Sequence, residues 1–352
     1  MNSQSLIMIL QLIAGLVLLF FGGDWLVNGG VTLAHRFRIS PLVIGMTIVA
    51  FGTSAPELLV SMTSAIKGIS GIAMGNVLGS NIANIGLILG LTAMLSPIAT
   101  NNRNIIANGV IMILVSLLLL LFSLNNIISR VEGIVMFSGL VVFTAVSIKR
   151  GRMSTEKNRY VGNVENIERR NVENVNIGNT GNTEGIEGSE NENSSSEIHK
   201  KEMSVWAAIL LVILSCLMLY LGAEFLVDGA TSLAKALGVS DKVIGLTIVA
   251  IGTSLPELAA SVAAALKKEM EISIGNIIGS NIFNILCVLG LSAFIRPIEF
   301  DFTQYRIDFM VMIAFATILV ILIRPRKGQS LLGRAAGMLM FAAYAVYAWT
   351  LF

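Results

Sequence analysis

Residues 43–58 read VIGMTIVAFGTSAPEL, and residues 243–258 repeat them as VIGLTIVAIGTSLPEL with 13 of 16 positions identical. Each copy is an apolar run that carries one carboxylate, Glu57 or Glu257, directly after a Gly-Thr-Ser-x-Pro break. An acid at membrane depth costs about 2.5–3.5 kcal/mol on insertion scales. We therefore begin with the hypothesis that these two acids hold a cation.

The composition indicates a polytopic membrane protein. Hydrophobic residues make up 55% of the 352 residues and charged residues 13%, and the mean hydropathy is +0.79. A soluble globular chain is more polar than this. The net charge of +2 gives no indication of nucleic-acid binding. Cys216 and Cys287 lie inside apolar runs, which predicts buried thiols and neither a disulfide nor a metal pattern.

Ten apolar segments reach the length of about 20 residues that crosses a bilayer. The predicted spans are 6–34, 41–66, 72–95, 104–124, 131–149, 204–234, 241–266, 272–295, 306–323 and 331–351. The first lacks the basic start and small-residue cleavage site of a signal peptide, so we interpret it as a retained span. A second repeat joins the first: 75–91 (GNVLGSNIANIGLILGL) matches 275–291 (GNIIGSNIFNILCVLGL) at 11 of 17 positions.

The repeats predict an all-α membrane protein built from two halves of five spans, residues 1–150 and 203–352. Because five is odd, the second half enters the membrane from the opposite side, which gives inverted repeats with a shared site near the bilayer midplane. Residues 151–202 between them are polar and nearly free of aromatic residues, so we predict a disordered linker. A weak regulatory cation site among the linker glutamates is the alternative, although the spacing of an EF-hand is missing.

Basic residues predict the orientation, because cytoplasmic loops carry an excess of Lys and Arg. With both termini outside, the inside loops hold Arg36, Arg38, Arg103, Lys149, Arg150, Lys267, Lys268, Arg324, Arg326, Lys327 and Arg334. The outside loops then hold only Lys67, Arg130, Lys235, Lys242, Arg296 and Arg306. We therefore predict extracellular termini and a cytoplasmic linker in a multi-pass protein of the cell membrane.

The break in each motif predicts exposed backbone oxygens. Pro56 has no N–H and crowds the carbonyl four residues earlier, which predicts free carbonyls from Ala50 to Gly52. Such irregular backbone is tolerated at membrane depth where it lines a cavity or lies within protein. Helical spacing places oxygen-bearing residues of each motif on one face. These are Ala50, Thr53, Ser54, Glu57 and Ser61, and Ala250, Thr253, Ser254, Glu257 and Ser261.

The second repeat adds further oxygens at intervals of four residues. They are Asn76, Ser80 and Asn84 in the first half and Asn276, Ser280 and Asn284 in the second. For Ser80, Asn84, Ser280 and Asn284 we favour ion ligation over interhelical hydrogen bonding; for Asn76, Asn81, Asn276 and Asn281 we favour the hydrogen bonding. Glycines 75, 79, 275 and 279 form small-residue faces that allow close helix contact.

These ligands favour a hard cation. Ca²⁺ takes six to eight oxygen ligands in flexible geometry, and Na⁺ suits the same oxygens. Mg²⁺ resists losing its waters, and zinc or copper would require imidazole or thiolate.

The paired GTSxPE and GSNxxN motifs, in two halves of five spans, resemble the sodium/calcium exchangers of the cation/calcium exchanger superfamily, especially the compact prokaryotic members. The resemblance implies an antiporter that exchanges Na⁺ for Ca²⁺ by alternating access, with no enzymatic activity and no cofactor. It implies that Glu57 and Glu257 bridge a central Ca²⁺ site. It further implies flanking Na⁺ sites formed by Thr53, Ser54, Thr253, Ser254, Ala50, Ala250, Ser80, Asn84, Ser280 and Asn284. We expect Ca²⁺, Na⁺ and the lipid bilayer as partners, no nucleic acid, and a functional monomer.

Comparison within the superfamily refines this expectation. Calcium/proton exchangers typically have Asn-Ala-Thr-Glu in place of Thr-Ser-x-Pro-Glu, and neither histidine lies near the motifs here. Sodium coupling is therefore favoured, with a proton-coupled cation exchanger as the alternative. Many members, including potassium-dependent exchangers, carry Asp where this chain has Asn284, so K⁺ cotransport is disfavoured.

Other functional classes fit less well. An intramembrane hydrolase would require a GxGD, HExxH or nucleophile motif, and these spans contain none. A Ca²⁺-permeable channel would usually repeat its acids around an open axis. Three further acids, Asp24, Glu224 and Asp228, lie in the later parts of the first and sixth spans. We interpret them as interfacial or gate-lining acids, with direct ligation as the alternative.

Overall fold

The computed structural model describes residues 3–100, 104–153, 203–236, 250–323 and 330–350. These residues are largely helical, as expected for an all-α membrane protein. Residues 154–202, which are all of the predicted linker 151–202 except its first three residues, lie outside the described residues. The first part of the predicted span 241–266 does so as well.

The first half contains six helices and two short strands. They are α1 Ser3–Phe37, α2 Pro41–Thr53, α3 Ala55–Lys67, α4 Ser70–Leu95, β1 Ile98–Thr100, α5 Asn104–Ser123, β2 Ile127–Ile128 and α6 Arg130–Met153.

The second half follows the same order of elements. They are α7 Val205–Ala236, α8 Ala250–Gly252, α9 Leu255–Leu266, α10 Met270–Ile295, β3 Ile298–Glu299, α11 Phe302–Leu322, β4 Ser330–Leu332 and α12 Arg334–Thr350.

Several helices are long and apolar enough to cross a membrane. The described residues contain seven such helices, and the pair α2 and α3, bent by 48° at its break, makes an eighth. Helix α9 is apolar but shorter, with 12 residues, and α12 has 17 residues. The prediction of a membrane protein with several apolar helices is confirmed.

Helices α1 and α7 pack closely along one another, because glycines lie where they meet. A Cβ on Gly15 would lie 2.7 Å from the Leu226 amide nitrogen, and one on Gly222 would lie 2.9 Å from the Leu19 nitrogen. The buried apolar residues of this pair form a cluster with residues of α2 and α9. The larger core cluster is built mainly by α4, α5, α6, α10 and α11. The molecule therefore has a central body with a two-helix unit packed beside it.

Helix α2 of the first half packs against α10 of the second half at backbone contact distance. A Cβ on Gly275 would lie 2.6 Å from the Leu42 carbonyl oxygen, and one on Gly279 would lie 2.6 Å from the Met46 carbonyl oxygen. The predicted small-residue face is confirmed for these two glycines. The residue that corresponds to Met46 in the second half, Leu246, lies outside the described residues, so the first-half glycine face stays a prediction.

Two short antiparallel ladders also connect the halves. Strand β1 pairs with β4, with Ile98 opposite Leu332. Strand β2 pairs with β3, with Ile128 opposite Ile298. Each ladder takes one strand from each half, so the connections after α4 and α10 are both tied to the opposite half.

The close contact between α2 and α10 predicts a specific loss of stability. Gly279→Ala should destabilise the protein by about 1–3 kcal/mol, the usual cost of overpacking, because the new methyl group meets rigid backbone. Gly139→Ala is the matched control, since its Cβ would lie 3.8 Å from the flexible tip of Leu286. Thermal unfolding of both purified variants in detergent tests this, and equal melting temperatures would contradict it.

Candidate cation-binding site

Each repeated motif folds as a broken helix that places its glutamate at a helix N-terminus. Helix α2 ends at Thr53 and α3 begins at Ala55, with Ser54 between them at φ −85° and ψ 8°. Pro56 lies in the first turn of α3, where its missing N–H leaves no hydrogen bond unmade. Glu57 lies in the same turn, where the helix dipole favours negative charge.

The second half repeats this geometry. Thr253 and Ser254 separate α8 from α9, with Ser254 at φ −88° and ψ 3°. Pro256 lies in the first turn of α9, and Glu257 follows it. The site therefore combines two helix N-termini, one from each half.

The two glutamates are buried together. Both side chains are 0% exposed. The Ser54 hydroxyl donates to Glu257 Oε1 at 2.9 Å, which places a first-half hydroxyl on the second-half acid. Ser280 donates to the same oxygen at 3.5 Å. The geometry thus brings both acids and neighbouring hydroxyls into the buried interior.

Several buried oxygens of the predicted ligands have no hydrogen-bond partner among the described residues. They are both carboxylate oxygens of Glu57, Oε2 of Glu257, Oδ1 of Asn84 and Asn284, and Oγ1 of Thr253. Buried polar atoms are normally hydrogen-bonded, and a buried carboxylate requires a partner of opposite charge. Carboxylate, amide and hydroxyl oxygens are the ligands of a hard cation. The residues present therefore fit the expected cation.

Helices α4 and α10 widen locally at the candidate ligand asparagines. Each contains a six-residue π-helical segment, Asn84–Leu89 and Asn284–Leu289. Such segments frequently occur at functional sites. The segment that begins at Asn284 packs on α3, which carries Glu57, and the segment that begins at Asn84 packs on α9, which carries Glu257. Each half therefore brings its asparagine to the glutamate helix of the other half.

The hydroxyls of the two halves also meet. Ser80 and Ser254 lie with their hydroxyl oxygens 3.4 Å apart. Thr53 Oγ1 lies 3.4 Å from Ser280 Oγ and donates to Asn276 Oδ1 at 3.2 Å. The structure thus brings hydroxyls of the two halves together, and it places those of Ser54 and Ser280 on Glu257.

The hydrogen-bonding interpretation of Asn76 and Asn276 is confirmed. Asn76 donates to Ser61 Oγ at 2.9 Å and to the Glu57 carbonyl at 3.2 Å. Asn276 donates to Ser261 Oγ at 3.0 Å. These asparagines and serines fix the glutamate helices to α4 and α10.

One backbone prediction is wrong. The Ala50 carbonyl is not free, because it accepts a hydrogen bond from the Ser54 N–H at 3.0 Å. The turn at Ser54 lets that N–H continue the helical pattern before Pro56 interrupts it. In the second half the Ser254 N–H instead donates to the Ile251 carbonyl at 3.1 Å. A carbonyl oxygen has two lone pairs, so ligation by Ala50 or Ala250 stays a prediction.

The interpretation of Asp24 as an acid outside the ion site fits the structure. Lys267, just beyond α9, places Nζ 2.6 Å from Asp24 Oδ1 and 2.8 Å from both the Asp24 carbonyl oxygen and Asn28 Oδ1. The sequence analysis counted Lys267 only as a loop charge. A sequence signal for Lys267 exists, because the first repeat has a lysine, Lys67, at the equivalent position after its glutamate.

The equivalent contact is not formed on the other side. In the described part of the chain no ion pair connects Lys67 with Glu224 or Asp228, the residues that correspond to Asp24 and Asn28. The ion pair is therefore one-sided, although the sequence provides charged partners in both halves.

The comparisons with known proteins agree with one another. The family model described as sodium/calcium exchanger protein matches residues 7–149 and 207–352. The putative antiporter CaxA of Alkalimonas amylolytica is 37% identical over 97% of this chain and 97% of its own. The sodium/calcium exchanger MaX1 of Methanosarcina acetivorans is 38% identical over 89% of this chain and 90% of its own. A solved structure of the sodium-calcium exchanger NCX_Mj, soaked with 10 mM Na⁺ and zero Ca²⁺, matches with a TM-score of 0.76 and 30% identity over 99% of this chain and 100% of its own.

Proposed function

Because this chain belongs to the sodium/calcium exchanger protein family, we propose that it is a secondary active antiporter that exchanges Na⁺ for Ca²⁺ by alternating access. The family consists of ion exchangers and not of enzymes, and its members use no cofactor. The observation that carries the proposal is the pair of fully buried glutamates, three of whose four carboxylate oxygens have no hydrogen-bond partner among the described residues.

In this proposal Glu57 and Glu257 bind Ca²⁺ between them. The unpaired amide oxygens of Asn84 and Asn284 complete the central site or line its approach. The flanking Na⁺ ligands are Thr53, Ser54, Ser80, Thr253, Ser254 and Ser280 with the carbonyls of Ala50 and Ala250. Two Na⁺ or one Ca²⁺ balance the two carboxylates, and a third Na⁺ would make the cycle electrogenic.

The charge of the empty site explains obligatory exchange. Two ionised glutamates without a cation would have to pass through a closed, low-dielectric state, and desolvation costs several kcal/mol for each uncompensated ion. A barrier increase of about 1.4 kcal/mol already slows a step tenfold. Ion-loaded forms therefore change orientation, while the empty form stays in place.

The proposed architecture is ten membrane spans in two inverted repeats of five. The repeated motifs, the equal order of elements in both halves, and the strand pairs β1–β4 and β2–β3 all support a pseudo-twofold arrangement. Loop charges support extracellular termini and a cytoplasmic linker. One chain supplies every ligand in this site, so we propose that the functional unit is the monomer in the bilayer.

The one-sided ion pair supports alternating access. In the proposed topology the pair of Asp24 and Lys267 lies toward the cytoplasmic side, and Lys67 and Glu224 lie toward the outside. The unit formed by α1 and α7 packs on α9, where Gly23 meets the backbone of Ala259. We propose that this contact closes the cytoplasmic approach to the site.

Transport in reconstituted vesicles tests the function directly. We expect ⁴⁵Ca²⁺ uptake into Na⁺-loaded proteoliposomes when Na⁺ is absent outside, and little uptake when Na⁺ is equal on both sides or replaced by K⁺. A pH gradient without Na⁺ should drive little uptake, because the described site contains no histidine. Robust pH-driven uptake would instead support the proton-coupled alternative. Uptake driven by the Ca²⁺ gradient alone, without a counterion, would support a channel.

The two-carboxylate site predicts the effect of removing either charge. Glu57→Gln and Glu257→Gln should each abolish Ca²⁺ transport, because each removes a charge and a hard ligand. Both variants should remain folded and inserted, since Gln is nearly isosteric and costs less to bury than an ionised acid. Glu299→Gln, at an exposed acid on β3, is the matched control and should transport normally. Near wild-type uptake by either site variant would contradict the site.

The ion pair between Asp24 and Lys267 predicts a shift in cytoplasmic access. Partly exposed pairs contribute up to about 1 kcal/mol, so Asp24→Asn should increase opening toward the cytoplasm by up to about fivefold. The measurement is the labelling rate of Ala263→Cys, in a background without Cys216 and Cys287, by a membrane-impermeant thiol reagent on the cytoplasmic side. The charge exchange Asp24→Lys with Lys267→Asp should restore the wild-type rate. Glu224→Gln is the control, and an unchanged rate in Asp24→Asn would reject this role.

A further inference from the structure

Four buried asparagines form two hydrogen bonds that cross between the halves. Asn84 Nδ2 donates to Asn281 Oδ1 at 3.1 Å. Asn284 Nδ2 donates to Asn81 Oδ1 at 3.2 Å. All four side chains are buried. Each candidate ligand asparagine is therefore bonded, through its amide nitrogen, to an asparagine of the opposite half.

The side-chain amides of Asn81 and Asn281 have a fixed orientation, because their Nδ2 atoms contact hydrogen-bond acceptors. Asn281 Nδ2 lies 3.4 Å from Met112 Sδ. Asn81 Nδ2 lies 3.4 Å from the Asn281 carbonyl oxygen and 3.6 Å from Met312 Sδ. A carbonyl oxygen and a thioether sulfur accept hydrogen bonds and cannot donate them. The amide nitrogens of Asn81 and Asn281 must therefore point toward these acceptors, and their Oδ1 atoms must point toward Asn284 and Asn84.

This orientation determines which atom the ligand asparagines have available. Because the amide nitrogens of Asn84 and Asn284 are bonded, the unpaired atom of each is Oδ1. The reverse orientation would place two oxygens in contact at each crossing and leave N–H groups free. N–H groups cannot bind a cation. One amide rotation therefore separates a cation ligand from a group that repels the ion.

We propose that Asn81 and Asn281 are positioning residues that hold the amides of Asn284 and Asn84 with their oxygens available to the transported cation. The acceptors that set the orientation of Asn81 and Asn281 are Met112 Sδ, Met312 Sδ and the Asn281 carbonyl oxygen. The proposal rests on the ion site proposed above and adds residues that do not bind the ion themselves. A purely structural role, as hydrogen bonds between α4 and α10, would affect stability and leave ion affinity unchanged.

The test is Ca²⁺ affinity measured in two backgrounds. Equilibrium ⁴⁵Ca²⁺ binding to the purified full-length protein should weaken roughly three- to tenfold in Asn281→Leu, the scale of one lost neutral hydrogen bond. In Asn84→Asp the two carboxylate oxygens are alike and need no orientation. Adding Asn281→Leu to Asn84→Asp should then not weaken Ca²⁺ binding, because an ionised carboxylate has no N–H to donate to Asn281 Oδ1. Equal losses in both backgrounds, or no loss in the wild-type background, would overturn the proposal.

A second variant keeps the test decisive if Asn281→Leu does not fold. Met112→Leu preserves the volume of the side chain and removes the acceptor of Asn281 Nδ2. It should weaken Ca²⁺ binding in the wild-type background and not in Asn84→Asp, with an unchanged melting temperature of the ion-free protein. Unchanged binding in the wild-type background, or equal weakening in both backgrounds, would overturn the proposal.

Controls separate this proposal from the ion site itself. Asn108→Leu makes the same change at a buried asparagine of α5, outside the crossing bonds, and should leave Ca²⁺ affinity unchanged. If the wild-type protein bound no Ca²⁺ at all, the proposed function would fail. If the wild type binds Ca²⁺ and the variants show no background dependence, the positioning role alone fails.

Discussion

Two fully buried carboxylates, one from each half, impose the main constraint on this molecule. Each ionised group loses its hydration, and the two repel each other unless a cation lies between them. The sequence places both acids at the start of a half-helix, where the dipole is favourable, and surrounds them with hydroxyl and amide oxygens. The broken helices place the acids at helix N-termini, the small residues allow the helices to approach, and the buried asparagines add oxygens near this charge.

The site is assembled by contacts that cross between the halves. Ser54 of the first half bonds Glu257 of the second, and the widened turn of each asparagine helix packs on the opposite glutamate helix. Glycines let α2 and α10 approach to backbone distance beneath the site. A change in one half therefore alters the surroundings of the glutamate in the other half.

The sequence predicted the membrane class, the broken helices and the hydrogen-bonding roles of Asn76 and Asn276, because these follow from hydropathy, proline chemistry and helical spacing. It did not predict the π-helical segments, which depend on packing rather than on local propensity. It also missed the contact of Lys267 with Asp24, since residues 243 positions apart meet only in the folded chain. The Ala50 carbonyl was predicted wrongly, because the turn at Ser54 supplies an N–H that the proline rule alone does not anticipate.

The exchange of strands between the halves has a consequence for biosynthesis. Strand β1 pairs with residues 330–332, which leave the ribosome more than two hundred residues later. Chains emerge N-terminal part first, so the first half must wait in the membrane with Glu57 lacking its neighbours from the second half. The proposed cation site is thus completed only at the end of synthesis. Until then, only the helices of the first half surround the Glu57 carboxylate.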